Sequence, residues 1–496
     1  MTMSSIRWAS LTSVLAALFS ALATFLLFRF GIRELGRDIV GCWALTQGIM
    51  IAARIPDSGI SANITRMAAI GRHEPTQISV GDFLGAGAIM ASTPVIIIGC
   101  ATIYPVLAYL DRRFDGVVSS SDALTLTIAS VAYGAIGSLG GVALSLIEGF
   151  GRLPLRNIIT IAANIAVIAV SWPLVKHFGV IGFCVANIAP MLIQFVLAIA
   201  CLIVFHSPHK PPSVAGVVGI VRQIWRASFG LSLISVLQMA FEPTTKLLLS
   251  IDGSLASLAS FELALRVSTS VRGLFLAGIR PLFVAGSRTT ARMPDDIGSL
   301  YDASNVMVYK LAILLAAGQF ASAPILSLLA FSSLDVNFID FFSCLVVAST
   351  INALGFVGYY FQLSSGAMRP LTVIQVISVV INLSLGYLGG RVIGAMGIVL
   401  AYCITYVFSG VASLKLWLDH QGVSIPAFIF SHGDLESLAA ALIALLLLLQ
   451  FEFLRGIGGN YTLLVVSIVA CVAITALSLR QLKKMWGGKT LPTNSI

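Results

Sequence analysis

Gln238, Glu242 and Lys246 recur every four residues, and Glu262 and Arg266 repeat that spacing in the next apolar block. Residues four apart share one face of a helix. A charged side chain at the centre of a bilayer costs about 2.5–3.5 kcal/mol on insertion scales, so charges inside apolar blocks mark ligand pathways or internal ion pairs. Arg272 lies further along the second of these blocks with no acid three or four residues away, which suits it to an anionic ligand. Earlier in the chain, Gln47 and Arg54 fall in the second apolar block, Asp57 at its end and Glu148 at the end of the fourth. Two chemistries fit. In one, Arg54, Lys246, Arg266, Arg272, Gln47 and Gln238 line a polar, partly cationic cavity that binds substrate, while Asp57, Glu148, Glu242 and Glu262 gate it or couple it to ions. In the other, Glu242–Lys246 and Glu262–Arg266 are internal salt bridges, and Arg54 and Arg66 anchor the topology.

Either chemistry has to be held by membrane helices. The 496 residues are 58% hydrophobic and 10% charged, against about 25% charged in soluble proteins. Roughly 20 apolar residues cross a bilayer core as a helix. Fourteen candidate spans meet that description: 8–30, 39–56, 83–110, 124–147, 157–175, 179–204, 228–250, 256–285, 307–330, 340–364, 370–388, 391–418, 437–454 and 461–480. The block 83–110 is long enough to tilt or to hold an interfacial turn, and 57–74 reads as a loop with some amphipathic helix. The alternation of a membrane β-barrel is absent. The expected class is therefore an all-α integral membrane protein. Arg7 and the apolar run from Trp8 imitate a signal peptide, but that run continues to Phe30 and reads as an uncleaved first span.

The net charge of +9 is a matter of topology rather than of nucleic acid. With the N-terminus in the cytoplasm, 18 of the 30 Lys and Arg residues fall in cytoplasmic segments and 8 on the opposite side. This is the positive-inside pattern, and it puts both termini in the cytoplasm. The proline-rich stretch from His206 separates six spans from eight. The expected organisation is an N-terminal lobe over 1–205, a cytoplasmic linker over 206–222, a second six-helix lobe over 223–420, and two further helices with a basic tail over 421–496. At an offset of 218, Ala9-Ser10 aligns with Ala227-Ser228 and Arg54 with Arg272, a faint internal repeat.

Enzyme signatures fail on inspection. Gly488-Lys489-Thr490 lacks the first glycine of a phosphate loop, since Lys483 holds that position, and Gly85-x-Gly87 lacks its third. His206 and His209 form a lone pair in the linker, and the seven cysteines lie in apolar runs without a C-x-x-C pair. Asn63-Ile-Thr65 is a glycosylation sequon by pattern only, and Gly137-x-x-x-Gly141 and Gly390-x-x-x-Gly394 suit close helix packing. No metal or cofactor is expected, and neither is an enzyme. A membrane-embedded glycan polymerase is the weakest alternative, because the longest outward loop, about 111–123, is too short to hold its site.

Ordered motifs carry a family resemblance. Ile32-Arg33-Glu34-Leu35-Gly36, Gly41-Cys42-Trp43 and Asp57-Ser58-Gly59 come first. Gly151-Arg152-Leu153-Pro154-Leu155-Arg156-Asn157 follows, then Ser228-Phe229-Gly230, Phe241-Glu242-Pro243, Phe261-Glu262-Leu263-Ala264 and Pro281-Leu282. Together they resemble the O-antigen and exopolysaccharide flippases of the multidrug/oligosaccharidyl-lipid/polysaccharide exporter superfamily. The match covers roughly residues 5–290 and continues by span pattern. The resemblance implies two six-helix lobes around a central cavity, with alternating access carrying an undecaprenyl-diphosphate-linked oligosaccharide across a bacterial inner membrane. Membrane lipids, a polysaccharide polymerase and chain-length machinery are the expected partners, and a monomer is the expected state. The resemblance places Arg54, Arg266 and Arg272 on cavity-lining spans. The arginine some relatives carry midway along the first span is represented only by Arg29, near the outer end. The acid that sodium-coupled relatives carry in span eleven is absent, with Asn382 the polar residue there. A drug exporter of the same superfamily is the alternative, disfavoured by Lys246, Arg266 and Arg272.

Overall fold

The computed structural model describes residues 3–71, 79–205, 213–289, 297–356, 358–359, 362, 368–422, 442, 465–474 and 476. Twelve long helices and one of two turns, α4, carry most of the described chain: α1 (Met3–Leu35), α2 (Arg37–Ala53), α3 (Ile55–Gly71), α4 (Val80–Gly87), α5 (Thr93–Arg113), α6 (Ser120–Gly149), α7 (Leu153–Phe205), α8 (Val214–Asp252), α9 (Leu255–Thr289), α10 (Ile297–Phe331), α11 (Val336–Leu354), α12 (Met368–Ile393) and α13 (Ala395–Gln421). No strand occurs among the described residues. The chain is a multi-pass, all-α membrane protein. Eight of its described helical stretches are long and apolar enough to cross a bilayer. Apart from Leu442, span thirteen (437–454) lies outside the described residues, as do the linker prolines and the basic tail, while Val465–Ile474 of span fourteen is a short apolar helix.

Three elements depart from a simple series of rods. Helix α7 has 53 residues, far more than one crossing needs. It contains Gly179 at φ 57° and ψ −131°, a left-handed backbone that favours glycine. A Cβ on Gly182 would strike the Leu174 carbonyl, although eight residues of straight helix span about 12 Å. The chain therefore folds back at Gly179, which divides spans five and six. Between α4 and α5, Ala88–Ser92 form a π turn just before Pro94, the irregularity allowed for by the length of 83–110. Residues 57–71, read from sequence as mostly loop, are helical throughout as part of α3. Ile60, Ile64 and Ala68 bury one face against Val142, Ala143 and Ile147 of α6, and Thr65 donates to the Ser145 carbonyl at 3.1 Å. The polar face that suggested a loop therefore belongs to a packed helix.

By compactness the chain forms two units, Met1–Pro281 with Gly366–Thr405, and Leu282–Ser365 with Tyr406–Ile496. In the first, α6 packs on α7, α5, α3 and α2, α1 packs on α7, and α8 packs on α2, α3, α4 and α12. In the second, α10 packs on α11. Ile220 and Ile224 anchor the start of α8 in the same cluster as α3, α4 and α6. Asp82, only 3% exposed, fixes that junction. Its backbone N–H donates to the Ser79 hydroxyl at 3.1 Å, and its carboxylate accepts from the Ser79 N–H at 3.0 Å, the reciprocal bonds of a capping box. Its other oxygen accepts from the N–H of Ser213, the N-cap of α8, at 2.7 Å. One carboxylate thus serves two helix starts.

Asp82→Ala is expected to destabilise the purified protein by about 1–2 kcal/mol, the usual cost of a lost cap, read as a lower thermal midpoint in detergent. An unchanged midpoint would show that the two caps contribute nothing.

Candidate functional site

The first charged pair predicted from four-residue spacing exists, and so does the second, and they join. The Lys246 ammonium on α8 lies 2.5 Å from Glu242 Oε1 and 2.7 Å from Glu262 Oε2. Glu262 on α9 holds Arg266 Nε at 2.6 Å through its other oxygen. Arg266 Nη2 donates to the side-chain oxygen of Gln47 on α2. A guanidinium only donates, so the Gln47 amide must present its oxygen. The result is one continuous chain, Glu242–Lys246–Glu262–Arg266–Gln47, drawn from three helices. Two carboxylates and two cations make it neutral.

Burial differs along this chain. The side chains of Lys246 and Glu262 are 0% and 1% exposed, whereas those of Glu242 and Arg266 are 31% and 24% exposed. The dry middle is made possible by glycine at a point of close approach. A Cβ on Gly48 would sit 2.8 Å from Lys246 Cδ, and one on Gly41, two turns earlier on the same face of α2, would strike the Leu255 carbonyl. The α8–α9 hairpin therefore lies directly on the α2 backbone. Beyond this contact, Tyr109 bonds Ser250 at 2.9 Å and Arg113 donates to the Ile251 carbonyl at 2.6 Å, tying α5 to the last turn of α8. Asp252 in that turn meets Arg391 of α12 at 3.6 Å.

Aromatic side chains extend the site. Arg266 stacks over Phe28 of α1 at 4.8 Å. Phe28 meets Phe183 edge-on at 6.3 Å, Phe183 meets Trp43 at 5.9 Å, and Trp43 meets Tyr133 at 6.1 Å. Arg54 lies over Tyr133 at 6.0 Å. Its guanidinium runs along α6, where a Cβ on Gly137 would come within 3.0 Å of Nη1. A ladder of four rings from α1, α7, α2 and α6 thus ends on one arginine at each side. Thr46, beside Gln47, bonds Ser130 of α6 at 2.8 Å.

The other predicted residues are placed differently. Arg272 is half-buried on α9 and within electrostatic reach of Tyr402, as are Glu242 and Glu262. Gln238 is exposed one turn before Glu242. Glu148 pairs with Arg156 across the α6–α7 turn, away from the five-residue chain. Asp57 lies in the first turn of α3, and its side chain is outside the described residues. Asn382 donates to the Phe241 carbonyl at 3.2 Å and to Thr245 at 3.3 Å, binding α12 to α8 one turn from Lys246. Sequence reasoning did not find Phe28, Tyr133, Phe183 or Tyr402, whose aromatic types are ordinary in membrane helices. Gly41 and Gly48, seven apart on α2, were the available signal for a partner helix. Among the described residues no cluster of His, Cys, Asp and Glu could hold a metal ion.

The sequence matches no family model and no curated protein. In structure it is similar to the lipid II flippase MurJ in an inward closed conformation, at 12% identity and TM-score 0.62, covering 94% of this chain and 99% of that one. It is also similar to a multidrug resistance MATE family transporter of the MOP superfamily in an outward-facing conformation, at 15% identity and TM-score 0.58, covering 84% and 95%. A crystal structure of MATE in the straight conformation matches with the same identity, TM-score and coverage. The chain shares the fold of these membrane transporters.

Removing one partner of a buried ion pair costs about 3–5 kcal/mol. Lys246→Met is therefore expected to lower the thermal midpoint strongly, and Glu262→Gln in the same protein to recover part of the loss. Strictly additive losses would show that the two side chains are not coupled.

Proposed function

We propose that this protein is a flippase of the multidrug/oligosaccharidyl-lipid/polysaccharide exporter superfamily. It carries a lipid-linked oligosaccharide with a diphosphate head across a bacterial inner membrane for surface polysaccharide synthesis, with both termini cytoplasmic. The observation that carries this reading is Arg266, a half-buried side chain whose guanidinium is held by Glu262 and Gln47 inside an apolar helical bundle, with Lys246 behind it. A lipid-linked sugar can leave its tail in the bilayer, but its head needs a polar route and a cation at the diphosphate. Arginine suits that group because its planar fork forms paired hydrogen bonds. The likeness to a protein described as a lipid II flippase agrees with a lipid-linked cargo. The two six-helix lobes rock about this site in alternating access. An inside-negative potential favours outward movement of the anion by about 2.3 kcal/mol per charge per 100 mV, so no nucleotide is needed.

A second reading, export of cationic drugs, is supported by the half-buried side chain of Glu242, 31% open on the same ion chain, and by the likeness to multidrug transporters. A deletion strain separates the two. Loss of surface glycan with complete lipid-linked units retained on the cytoplasmic face supports the flippase. Unchanged glycan with heightened sensitivity to toxic cations supports the drug exporter and overturns the flippase.

Within the flippase reading, Arg272→Ala is expected to reduce glycan export at a normal level of inserted protein, and Arg272→Lys to restore it only in part, because a point charge lacks the fork. Normal surface glycan in the alanine variant would remove Arg272 from the site.

A further inference from the structure

Arg266 offers its side-on fork, Nε and Nη2, to two different oxygens. Nε is taken by Glu262 on the neighbouring turn of its own helix, and Nη2 by Gln47 on α2. A phosphate or carboxylate takes such a fork with a pair of its own oxygens; with Nε held by Glu262, an incoming oxyanion meets Gln47 at Nη2. Gln47 therefore fills the place where an oxygen of a bound oxyanion would sit. It is also the neutral end of the chain, and the member that α2 contributes. Its side chain is 1% exposed, so its oxygen has exchanged water for the guanidinium, whereas Arg266 keeps 24% of its surface open to an incoming group. Gly48, next in sequence, holds the same stretch of α2 against Lys246.

We infer that Gln47 competes with the anionic head of the substrate for Arg266, so that seating of α2 on the α8–α9 hairpin and binding of the anion exclude one another. This rests on the flippase reading above and assigns Gln47 a role opposite to that of a substrate ligand. When α2 is seated, the amide satisfies Nη2 and the site is self-filled. When an oxyanion takes Nη2, Gln47 loses its partner and α2 loses a polar tie to α9. Occupancy of the site is thereby coupled to separation of these helices through one hydrogen bond.

The two roles for Gln47 differ in sign, which makes them separable. Binding of farnesyl diphosphate to the purified full-length protein is measured by calorimetry in detergent, with farnesol as the control for the tail alone. Gln47→Leu removes the competitor and is expected to tighten binding roughly tenfold, the scale of one charge-assisted hydrogen bond. Gln47→Glu places a carboxylate on the guanidinium and is expected to weaken binding by a similar factor. Both effects should vanish in an Arg266→Gln background. Weaker or unchanged binding by Gln47→Leu overturns the competition and leaves the flippase reading standing. Should the leucine variant fail to fold, tighter binding by Gln47→Glu overturns the competition on its own. Farnesyl diphosphate binding no better than farnesol in every protein overturns the competition and the anionic-lipid reading together.

Discussion

An ammonium that has lost all contact with water sets the terms for the rest of this protein. Lys246 is 0% exposed, and a charge in that position survives only when paired on all sides. Two carboxylates, one from its own helix and one from α9, supply the pairing at 2.5 and 2.7 Å. Glu262 then has a second oxygen to satisfy, and Arg266 satisfies it. Arg266 in turn has donors to place, and Gln47 accepts one of them. Each member exists because the previous one leaves a valence open. In a bilayer no water completes such a sequence cheaply, so the chain runs until it reaches a neutral acceptor or a partly exposed surface.

The packing follows from the same constraint. A lysine stem can be dry only if a neighbouring helix comes close enough to exclude water, and Gly41 and Gly48 let the backbone of α2 do so. The guanidinium face of Arg266 is covered by Phe28, a cation–π contact that replaces solvent without needing a further acceptor. The ring ladder from Phe28 to Tyr133 extends this cover to Arg54. Pro243 inside α8, which lacks the N–H of a helical bond, and the π turn before α5 are irregularities within the same unit. Asn382 satisfies a carbonyl of α8 close to the first of them. Irregular backbone at membrane depth is tolerated where it is buried in protein.

Much of this was legible in the sequence because bilayer physics leaves few options. Apolar blocks long enough to cross could only be helices, and four-residue spacing could only put Glu242 with Lys246 and Glu262 with Arg266 on shared faces. The joining of the two pairs was not legible, since contact between α8 and α9 depends on helix rotation and depth that spacing within one helix does not fix. The partnership of Gln47 with Arg266 links residues 219 apart in sequence, and a glutamine in an apolar block has many possible partners. Glu148 illustrates the opposite case. Its position at a helix end was clear, but its pairing with Arg156 required the short Gly151 turn to bring α7 back beside α6. Residues 57–71 read as a loop with some amphipathic helix because they mix polar and apolar positions; in α3 Asn63 is buried and Arg66 exposed, so hydropathy alone does not separate the packed face from the outer one.

The neutrality of the ion chain bears on how a membrane carrier can be stable while empty. A site built to hold an anionic head needs cations, yet unpaired cations in an apolar bundle would be destabilising for as long as no ligand is present. Internal carboxylates remove that penalty, but they also oppose the ligand, because each must be displaced or left crowded when a second anion arrives. A neutral acceptor at one arm of the fork is a milder solution. On the proposed competition, the amide of Gln47 satisfies the guanidinium without adding negative charge, and yields to an oxyanion because only the oxyanion adds a full Coulombic attraction to the hydrogen bond. On that proposal, placing the amide on α2, rather than on the helix that carries Arg266, would turn the exchange of acceptors into relative movement of helices. The dry ion pairs at Lys246 would keep α8 and α9 together through that exchange, dividing a part that moves from a part that stays by the charge of their contacts.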